Sequence, residues 1–592
     1  MFIIKKASRG FRPIINLKKL NDFLVYRHFK MEGLPTLRHF IRERDWMVKI
    51  DLKDAYLTVP MNEDFHEYLQ FLWAGEVFQF TSLCFGLASA PWAFTKLFKP
   101  VVAILRTLGF RVVIYLDDLL IVNQCMSGIL EQYRFIRSLL QVLGFVINEE
   151  KSVGTPSQVM EFLGLIVDTV VLSFRFPSKK VDSTIKKCSQ ILSKQNVQLR
   201  VLASLLGDFT WASSAVPFAR SHYREVQSLY LCSSKFYRGK LDNKVSLTNS
   251  VRSDLLWWIA NLASCQGKSM FEAEPTFSIC SDASLSGWGA VCEGVTTGMS
   301  WSSEEKERHI NELELLGAFN ALRAFADSRR NCTIELRLDN TTAVAYVNKE
   351  GGTRSASLNS LALEMARWCE VRNIVLIAEH LPGVLNSIAD RESRRAVDWS
   401  DWRLHPKVFR ALSRVWRTSV DLFANPWNSQ LVKFVSWKPQ PRAWAVNAFS
   451  LSWKELEAYA FPPFSLIQEC LSKIRRDRAT IVLICPLWPS QPYFASLLSL
   501  ACDVPQILPP HPSLLRSVEG KNHPLCSVPS FRLVAWKLSG INMLSVGFRQ
   551  KWSSYCWEQS ETTQIQHTIP AGKFGHIGVW EEFTIPCATL FQ

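Results

Sequence analysis

Residues 111 to 122, RVVIYLDDLLIV, are apolar on both sides of Asp117 and Asp118, a pattern that predicts two buried strands meeting at the acidic pair. A second apolar run, WMVKIDLKDAYLTVP, predicts a strand ending at Asp51. In FTSLCFGLASAPWAFTKLF, Gly86 allows close backbone approach, Ser89 can cap a helix and Pro91 suits its first turn. From about Val170 to Lys268 the texture turns helical and basic, with RFPSKKVDSTIKKCSQIL and LRVLASLLGDFTWASS as amphipathic stretches. Strands and helices alternate again from about Pro275 to Arg395. There HINELELLGAFNALRAF predicts a helix with Leu315, Ala318, Phe319 and Leu322 on one side. Beyond this the chain is Trp- and Pro-rich, and LPPHPS at 508 to 513 marks a predicted boundary.

Composition narrows the classes. A net charge of +15 over 592 residues suggests a polyanionic partner, although a solvated basic surface gives the same count. The 15 cysteines contain no CxxC pair, so neither a zinc site nor a disulfide framework stands out. The start turns basic too early for a signal peptide, and no apolar run is long enough to span a bilayer. An intracellular protein, cytoplasmic or nuclear and not secreted, is expected. The 21 tryptophans are expected mostly in cores, with some free to stack on bases.

Two adjacent carboxylates in an apolar run repel each other and lose hydration. The residues leave two readings open: a hairpin tip, where Asp is common, or a cation that supplies the missing charge. Asp51 adds a third acid at a strand end, as a two-metal centre requires, and Tyr56 lies five residues on, near enough to wall the same pocket. The N-terminus carries Lys5, Lys6, Arg9 and Arg12, cations suited to clamping phosphates.

Taken in order, FRPIINLKKLN, KIDLKDAYLTVP, FGLASAPWAF, YLDDLLIV, GFVINEEKS and EFLGLIVD resemble the reverse transcriptases of retroelements. The resemblance implies palm carboxylates Asp51, Asp117 and Asp118 binding Mg²⁺ or Mn²⁺, two ions per site. It puts triphosphate-binding positions at Lys5 and Arg12, the gate against a ribose 2′-hydroxyl at Tyr56, a substrate-binding lysine at Lys151 and the primer grip at Phe162 to Gly164. The chain begins almost inside the first basic block of that family, so the reading frame is expected to be a fragment. Lys179, Lys180, Lys186 and Lys187 fall where a thumb would grip duplex phosphates, though each lysine equally suits a solvated helix face.

A second set of acids, Asp282, Asp339 and Asp390, sits at predicted strand ends and on a helix. With Glu314 they resemble ribonuclease H, whose helix motif aligns with Glu314 rather than Glu312 and whose HxPGxxNxxAD segment matches His380 through Asp390. The resemblance implies four metal-binding carboxylates and His380 as a proton shuttle, with a structural histidine as the rival reading. Farther on, residues 397–514 resemble the region after ribonuclease H in DIRS-like retrotransposons, itself similar to adenine methyltransferases. The family's catalytic Asp/Asn-Pro-Pro-Tyr is here Phe461-Pro462-Pro463-Phe464, and no glycine-rich loop follows Asp421. Residues 515–592 distantly resemble the start of a tyrosine recombinase, or form a disordered tail.

The expected architecture is therefore α+β and α/β multidomain. Fingers and palm cover 1–169, thumb and connection 170–268, a ribonuclease H-like mixed sheet 275–396 and a degenerate Rossmann-like methyltransferase module 397–514. The expected function is RNA-directed DNA polymerase with ribonuclease H activity from a DIRS-like retrotransposon. Expected partners are RNA template, DNA primer, RNA–DNA hybrid and deoxynucleoside triphosphates, with no membrane; the oligomeric state stays open. The alternative is an inactive relic that binds nucleic acid.

Overall fold

The computed structural model describes residues 2–5, 11–25, 27–264, 267–395, 401–552 and 575–591, with the backbone alone over 2–5 and 11–14. The chain forms two compact units, Met1–Ala273 and Glu274–Gln592.

In the first unit, β1 (Trp46–Asp51), β2 (Arg111–Tyr115), β3 (Asp118–Asn123) and β4 (Val153–Ser157) make an antiparallel sheet in the order β2-β3-β1-β4. β1, β2 and β3 carry apolar residues on both faces because both faces are covered. Val48, Ile50, Leu119 and Ile121 pack with Phe94, Phe98, Ile129 and Ile136 of helices α1 (Ala90–Thr107) and α2 (Met126–Val142). Their neighbours Met47, Leu120 and Val122 point to a second core with Leu37, Phe162 and Phe174, as a period of two dictates. Pro91 lies in the first turn of α1 as expected, but the Ser89 side chain makes no capping bond because its backbone is already helical.

The expected border at 169/170 falls inside a sheet. β5 (Val159–Phe162), β6 (Leu165–Asp168), β7 (Ser173–Arg175) and β8 (Lys268–Ser269) pair in the order β8-β7-β6-β5, so the hairpin between Asp168 and Ser173 carries backbone bonds across the border. Helices α3 (Ser178–Leu192), α4 (Leu199–Ala212) and α5 (Asn249–Asn261) close the core beneath it, where Phe209 stacks on Trp258 with centroids 4.2 Å apart.

The second unit opens with a mixed five-stranded sheet. β9 (Phe277–Ala283), β10 (Gly287–Cys292) and β11 (Val295–Ser300) run antiparallel, while β12 (Cys332–Leu338) and β13 (Ile374–His380) run parallel to β9, in the order β11-β10-β9-β12-β13. Helix α6 (Ile310–Ala326) is buried on more than its one predicted side: every residue from Leu313 to Leu322 is buried, because α6 lies between the sheet and α8 (Ala356–Glu370). Helix α7 (Thr341–Asn348) follows β12, and the short α9 (Ser387–Ser393) lies against β10.

Among the described residues, the remaining chain carries a seven-stranded sheet and two short two-stranded ones, Arg403–Leu404 with Leu515–Arg516 and Val435–Ser436 with Ala445–Val446. The larger sheet organises the module. Its strands are β14 (Val420–Asp421), β15 (Ala458–Ala460), β16 (Thr480–Pro486), β17 (Gln506–Ile507), β18 (Leu533–Ser539), β19 (Gly575–Trp580) and β20 (Phe583–Thr589), in the order β14-β15-β16-β18-β17-β20-β19. This corrects two expectations. LPPHPS is not a boundary, and residues after 515 are not a separate module or a disordered tail among those described. β18 inserts antiparallel between β16 and β17, and its apolar residues complete the core. The sequence texture misled because short strands joined by Pro-rich turns look like linkers. Among the described residues, no helix is long and apolar enough to cross a membrane.

Truncation after residue 514 is therefore expected to unfold the module from 401 onward, seen as loss of protease resistance. Trp536→Ala, at a fully buried position of β18, should cost about 3–5 kcal/mol in denaturant unfolding. A truncated chain that melts like the full one would refute the assignment of β18 to this core.

Candidate active sites

The turn between β2 and β3 consists of Leu116 and Asp117, with Leu116 in the left-handed region at φ 54°. Asp118 opens the returning strand and sits directly opposite Asp51, the last residue of β1. The pair thus lies at a hairpin tip, and a third acid reaches it from the adjacent strand. Asp51 is 4% exposed. Asn148 Nδ2 donates to its carboxylate at 2.8 Å, and Lys151 Nζ lies 3.7 Å away. Burial raises the Asp51 pKa against the opposing pull of Lys151 and Asn148. Burial also raises that of Asp117, and the charges of Asp118 and Asp51 add to the effect.

The three acids do not close into a tight cluster. Among the described residues, only a different set brings ligand atoms all within 4.8 Å of one another. Lys49, which the sequence reading missed, stands among the three acids: its Nζ pairs with Asp118 Oδ1 at 2.9 Å. Two positions before Asp51 on the same strand, Lys49 shares its face.

Tyr56 stands beside this group as expected. Its ring packs on Phe85 and Phe94, with centroids 5.1 and 5.7 Å away, and its pKa is pushed up to about 12 by burial and then by Asp117. Gly86 has φ +103°, and a β-carbon there would sit 3.3 Å from the Ile15 carbonyl, so close approach is what the glycine permits. Lys5 and Arg12 lie on the paired strands Phe2–Lys5 and Phe11–Ile14, whose side chains are outside the described residues, as are Lys6 and Arg9 altogether. Phe162 to Gly164 form a tight hairpin in which Leu163 and Gly164 both take positive φ. Of the basic helix residues, Lys179, Lys180 and Lys186 are exposed, but Lys187 is held by Asp208 at 2.5 Å.

In the second unit the tight cluster is Asp282, Glu314 and Asp339. Asp282 comes from β9, Asp339 follows the parallel neighbour β12, and Glu314 rises from α6 across the sheet. Glu314 is buried, whereas Glu312 turns aside to accept a hydrogen bond from Ser357. Asp390 does not join the tight group. It accepts from Arg394 Nε at 2.7 Å and acts on Asp282 only through its charge. His380 Nε2 lies 3.1 Å from the Asp339 carbonyl oxygen, at the exposed end of β13.

Residues that the motifs did not reveal fix this geometry. Ser393 Oγ donates to Asp282 Oδ2 at 2.6 Å, and Asn386 Nδ2 to the Ser281 carbonyl at 2.9 Å. Gly289 has no room for a side chain: a β-carbon would meet the Ala389 carbonyl at 2.3 Å and the Ser393 nitrogen at 2.4 Å. The GWG of the sequence was the available signal, a glycine at alternate positions on one strand face.

Burial raises the Asp282 pKa, with Asp339 and Asp390 adding to it against the Ser393 bond. Burial, then Asp339 and Asp282, push Glu314 up to about 8. Two buried carboxylates and one half-buried, this close together and with no cation in direct contact among the described residues, fit the donor set of a hard divalent ion.

Residues 4–167 match the family described as reverse transcriptase (RNA-dependent DNA polymerase). The chain is 26% identical over 240 residues to the Gag-Pro-Pol polyprotein of bovine leukemia virus (isolate Australian), covering 39% of this chain and 16% of that protein. It is 22% identical over 395 residues to the enzymatic polyprotein of figwort mosaic virus (strain DxS), covering 64% of this chain and 55% of that one. The chain thus spans only part of the length of these relatives. A foamy viral protease-reverse transcriptase solved in complex with RNA/DNA hybrid is 18% identical, with 64% of this chain and 49% of that chain covered at a TM-score of 0.40. The chain therefore carries a reverse transcriptase domain with relatives among retroviral and plant-virus polyproteins.

The raised Glu314 pKa has a definite sign. The folded protein holds a proton there that the unfolded chain releases above 4.5, so the stability it contributes is full below that pH and is lost as pH rises to about 8. In chelator, the melting temperature should fall more steeply between about pH 5 and pH 8.5 for the native chain than for Glu314→Gln, and Mg²⁺ should restore it mainly at the alkaline end. Identical profiles for the two proteins would show that the cluster neither holds the proton nor takes the ion.

Proposed function

We propose that this protein is an RNA-directed DNA polymerase joined to a ribonuclease H, part of the polyprotein of a DIRS-like retroelement working inside the cell on nucleic acids. The reverse transcriptase match over residues 4–167, with Asp51 opposite Asp118 and Asp117 in the intervening turn, carries the polymerase reading. The Asp282, Glu314 and Asp339 cluster supports the nuclease reading.

In the first unit, Asp51, Asp117 and Asp118 would hold Mg²⁺ or Mn²⁺, two ions per site. Divalent ions bound there supply Lewis acidity that favours the attacking hydroxylate and the leaving phosphate oxygen. The chain's own residues do the rest. Tyr56 walls the sugar pocket and excludes a 2′-hydroxyl; Lys5 and Arg12 neutralise the triphosphate; Gly86 lets the backbone approach the substrate. Lys49 and Lys151 must yield their carboxylates for ions to enter. In the second unit, Asp282, Glu314 and Asp339 would hold the same kind of ions, with Asp390, now paired with Arg394, as the fourth carboxylate that would join them. His380 moves the proton at the leaving oxygen. RNA template, DNA primer, deoxynucleoside triphosphates and RNA–DNA hybrid are the substrates, and removal of copied RNA by the same chain frees the new strand for second-strand synthesis.

The final module takes a structural role in this reading. Phe461 to Phe464 follow β15 where a methyltransferase of the resembling kind keeps its polar motif, and a phenyl ring cannot accept a hydrogen bond from an amine.

One observation favours a second reading, a nucleic-acid-binding relic: two of the three polymerase carboxylates are already paired with lysines. Primer extension on an RNA template with Mg²⁺ separates the two, since a relic binds template-primer without extending it.

Asp117→Asn should lower primer extension by at least roughly a thousandfold while leaving hybrid cleavage intact, and Glu314→Gln should do the reverse. Loss of both activities in either variant would contradict two separate sites. Tyr56→Ala should weaken discrimination against ribonucleotides by roughly ten- to a hundredfold in single-nucleotide incorporation. Unchanged discrimination removes Tyr56 from the gate.

A further inference from the structure

Helix α9 carries both Asp390 and Ser393, the residue whose hydroxyl holds Asp282. What holds α9 therefore sets the acid cluster. On one side the seat is backbone. Gly289 lies under Ala389 and Ser393, and a β-carbon at Gly298 would come within 3.2 Å of the Glu392 carbonyl. Such a seat permits close approach but supplies little directional grip, because glycines offer no side chain to bond.

The grip comes from beyond residue 400. Lys438 Nζ lies 2.9 Å from Glu392 Oε2 and also donates to Thr296 Oγ1 at 3.2 Å, tying α9 to β11. Arg395 also reaches Glu392 at 3.4 Å, but its side chain is 62% exposed, so screening by solvent makes it the weaker hold. Next to Lys438, Thr297 Oγ1 donates to the Pro439 carbonyl, and Gln440 Nε2 donates to the Gly298 carbonyl at 3.0 Å. Thr297 and Gln440 are both buried. Residues 438–440 thus bond three consecutive residues of β11, Thr296, Thr297 and Gly298, and the helix packed on them.

We infer that residues 438–440 of the C-terminal module are a positioning clamp for the nuclease site: they fix α9 against β11, and through Ser393 and Asp390 they set the metal affinity of Asp282, Glu314 and Asp339. This rests on the nuclease reading above. It also gives the seven-stranded module a task that does not need methyltransferase chemistry. Outer partners of metal ligands commonly change affinity by about ten- to a hundredfold when removed.

The test uses the full chain. Mg²⁺ binding is titrated by calorimetry against Glu314→Gln, which removes this site, and steady-state cleavage of an RNA–DNA hybrid is followed in parallel. Lys438→Met and Gln440→Ala should each weaken Mg²⁺ binding by about tenfold and lower kcat, with KM for the hybrid unchanged. Lys438→Arg should retain most of both. Exchanging the charges, Lys438→Glu with Glu392→Lys, should recover affinity that either single change loses. If Lys438→Met and Gln440→Ala bind Mg²⁺ and turn over like the native chain and lose only melting temperature in chelator, the segment is a tether and the inference is overturned. If the native chain binds no more Mg²⁺ than Glu314→Gln, the nuclease reading fails and the clamp fails with it.

Discussion

Carboxylates forced together at the ends of buried strands are the constraint on which both units turn. Each acid loses hydration on burial and raises the cost of ionising its neighbours, so the surrounding structure must supply positive charge, hydrogen bonds or protons. The two units answer differently. In the first, Lys49 and Lys151 sit within ion-pair distance of Asp118 and Asp51, and the acids stay spread over the hairpin and its neighbour. In the second, the tight trio receives one hydroxyl, from Ser393, and Glu314 is left with a pKa near 8. The first site is thus met by positive charge from its own chain, and the second by a hydrogen bond and a raised pKa.

How much of this could be read from the sequence follows from the range of the interactions. Strand ends and the hairpin were legible because period and turn chemistry are local: apolar runs on either side of Asp117 and Asp118 became β2 and β3, and Pro91 entered the first turn of its helix. The choice of Glu314 over Glu312 came from the resemblance of the helix motif; geometry alone says only that residues two apart on a helix face different ways, and Glu314 is the one beside Asp282 and Asp339. Lys49 was within reach of the same argument, being on Asp51's face of the strand. The turn of Asp390 toward Arg394 was not, since a salt bridge four residues along a helix competes with a long-range cluster and only the fold decides between them.

The misplaced borders share one physical origin. Sheets recruit strands from distant parts of the chain, so a change of texture along the sequence need not be a change of body in space. Thr169 ends a stretch rich in strand, yet its hairpin partner β7 lies beyond it. β18 falls after a Pro-rich segment, yet it is wedged antiparallel between β16 and β17. In both cases the backbone bonds of a strand needed partners that no local pattern reveals.

The C-terminal module carries a buried acid of its own. Asp421 lies buried at the end of β14, its carboxylate accepting from the Gln430 and Phe423 amides, and burial raises its pKa to about 7. The desolvation cost of this acid is offset in part by those two backbone bonds. Those bonds order the loop from 422 to 430, and with it the parallel edge of the sheet. Residues 438–440, which follow the short strand Val435–Ser436, bond in turn to β11 and α9. Packing in this module and the placing of the acids in the sheet before it are therefore coupled through a few directional bonds, with Lys438 and Gln440 reaching the strand and the helix beside Asp282.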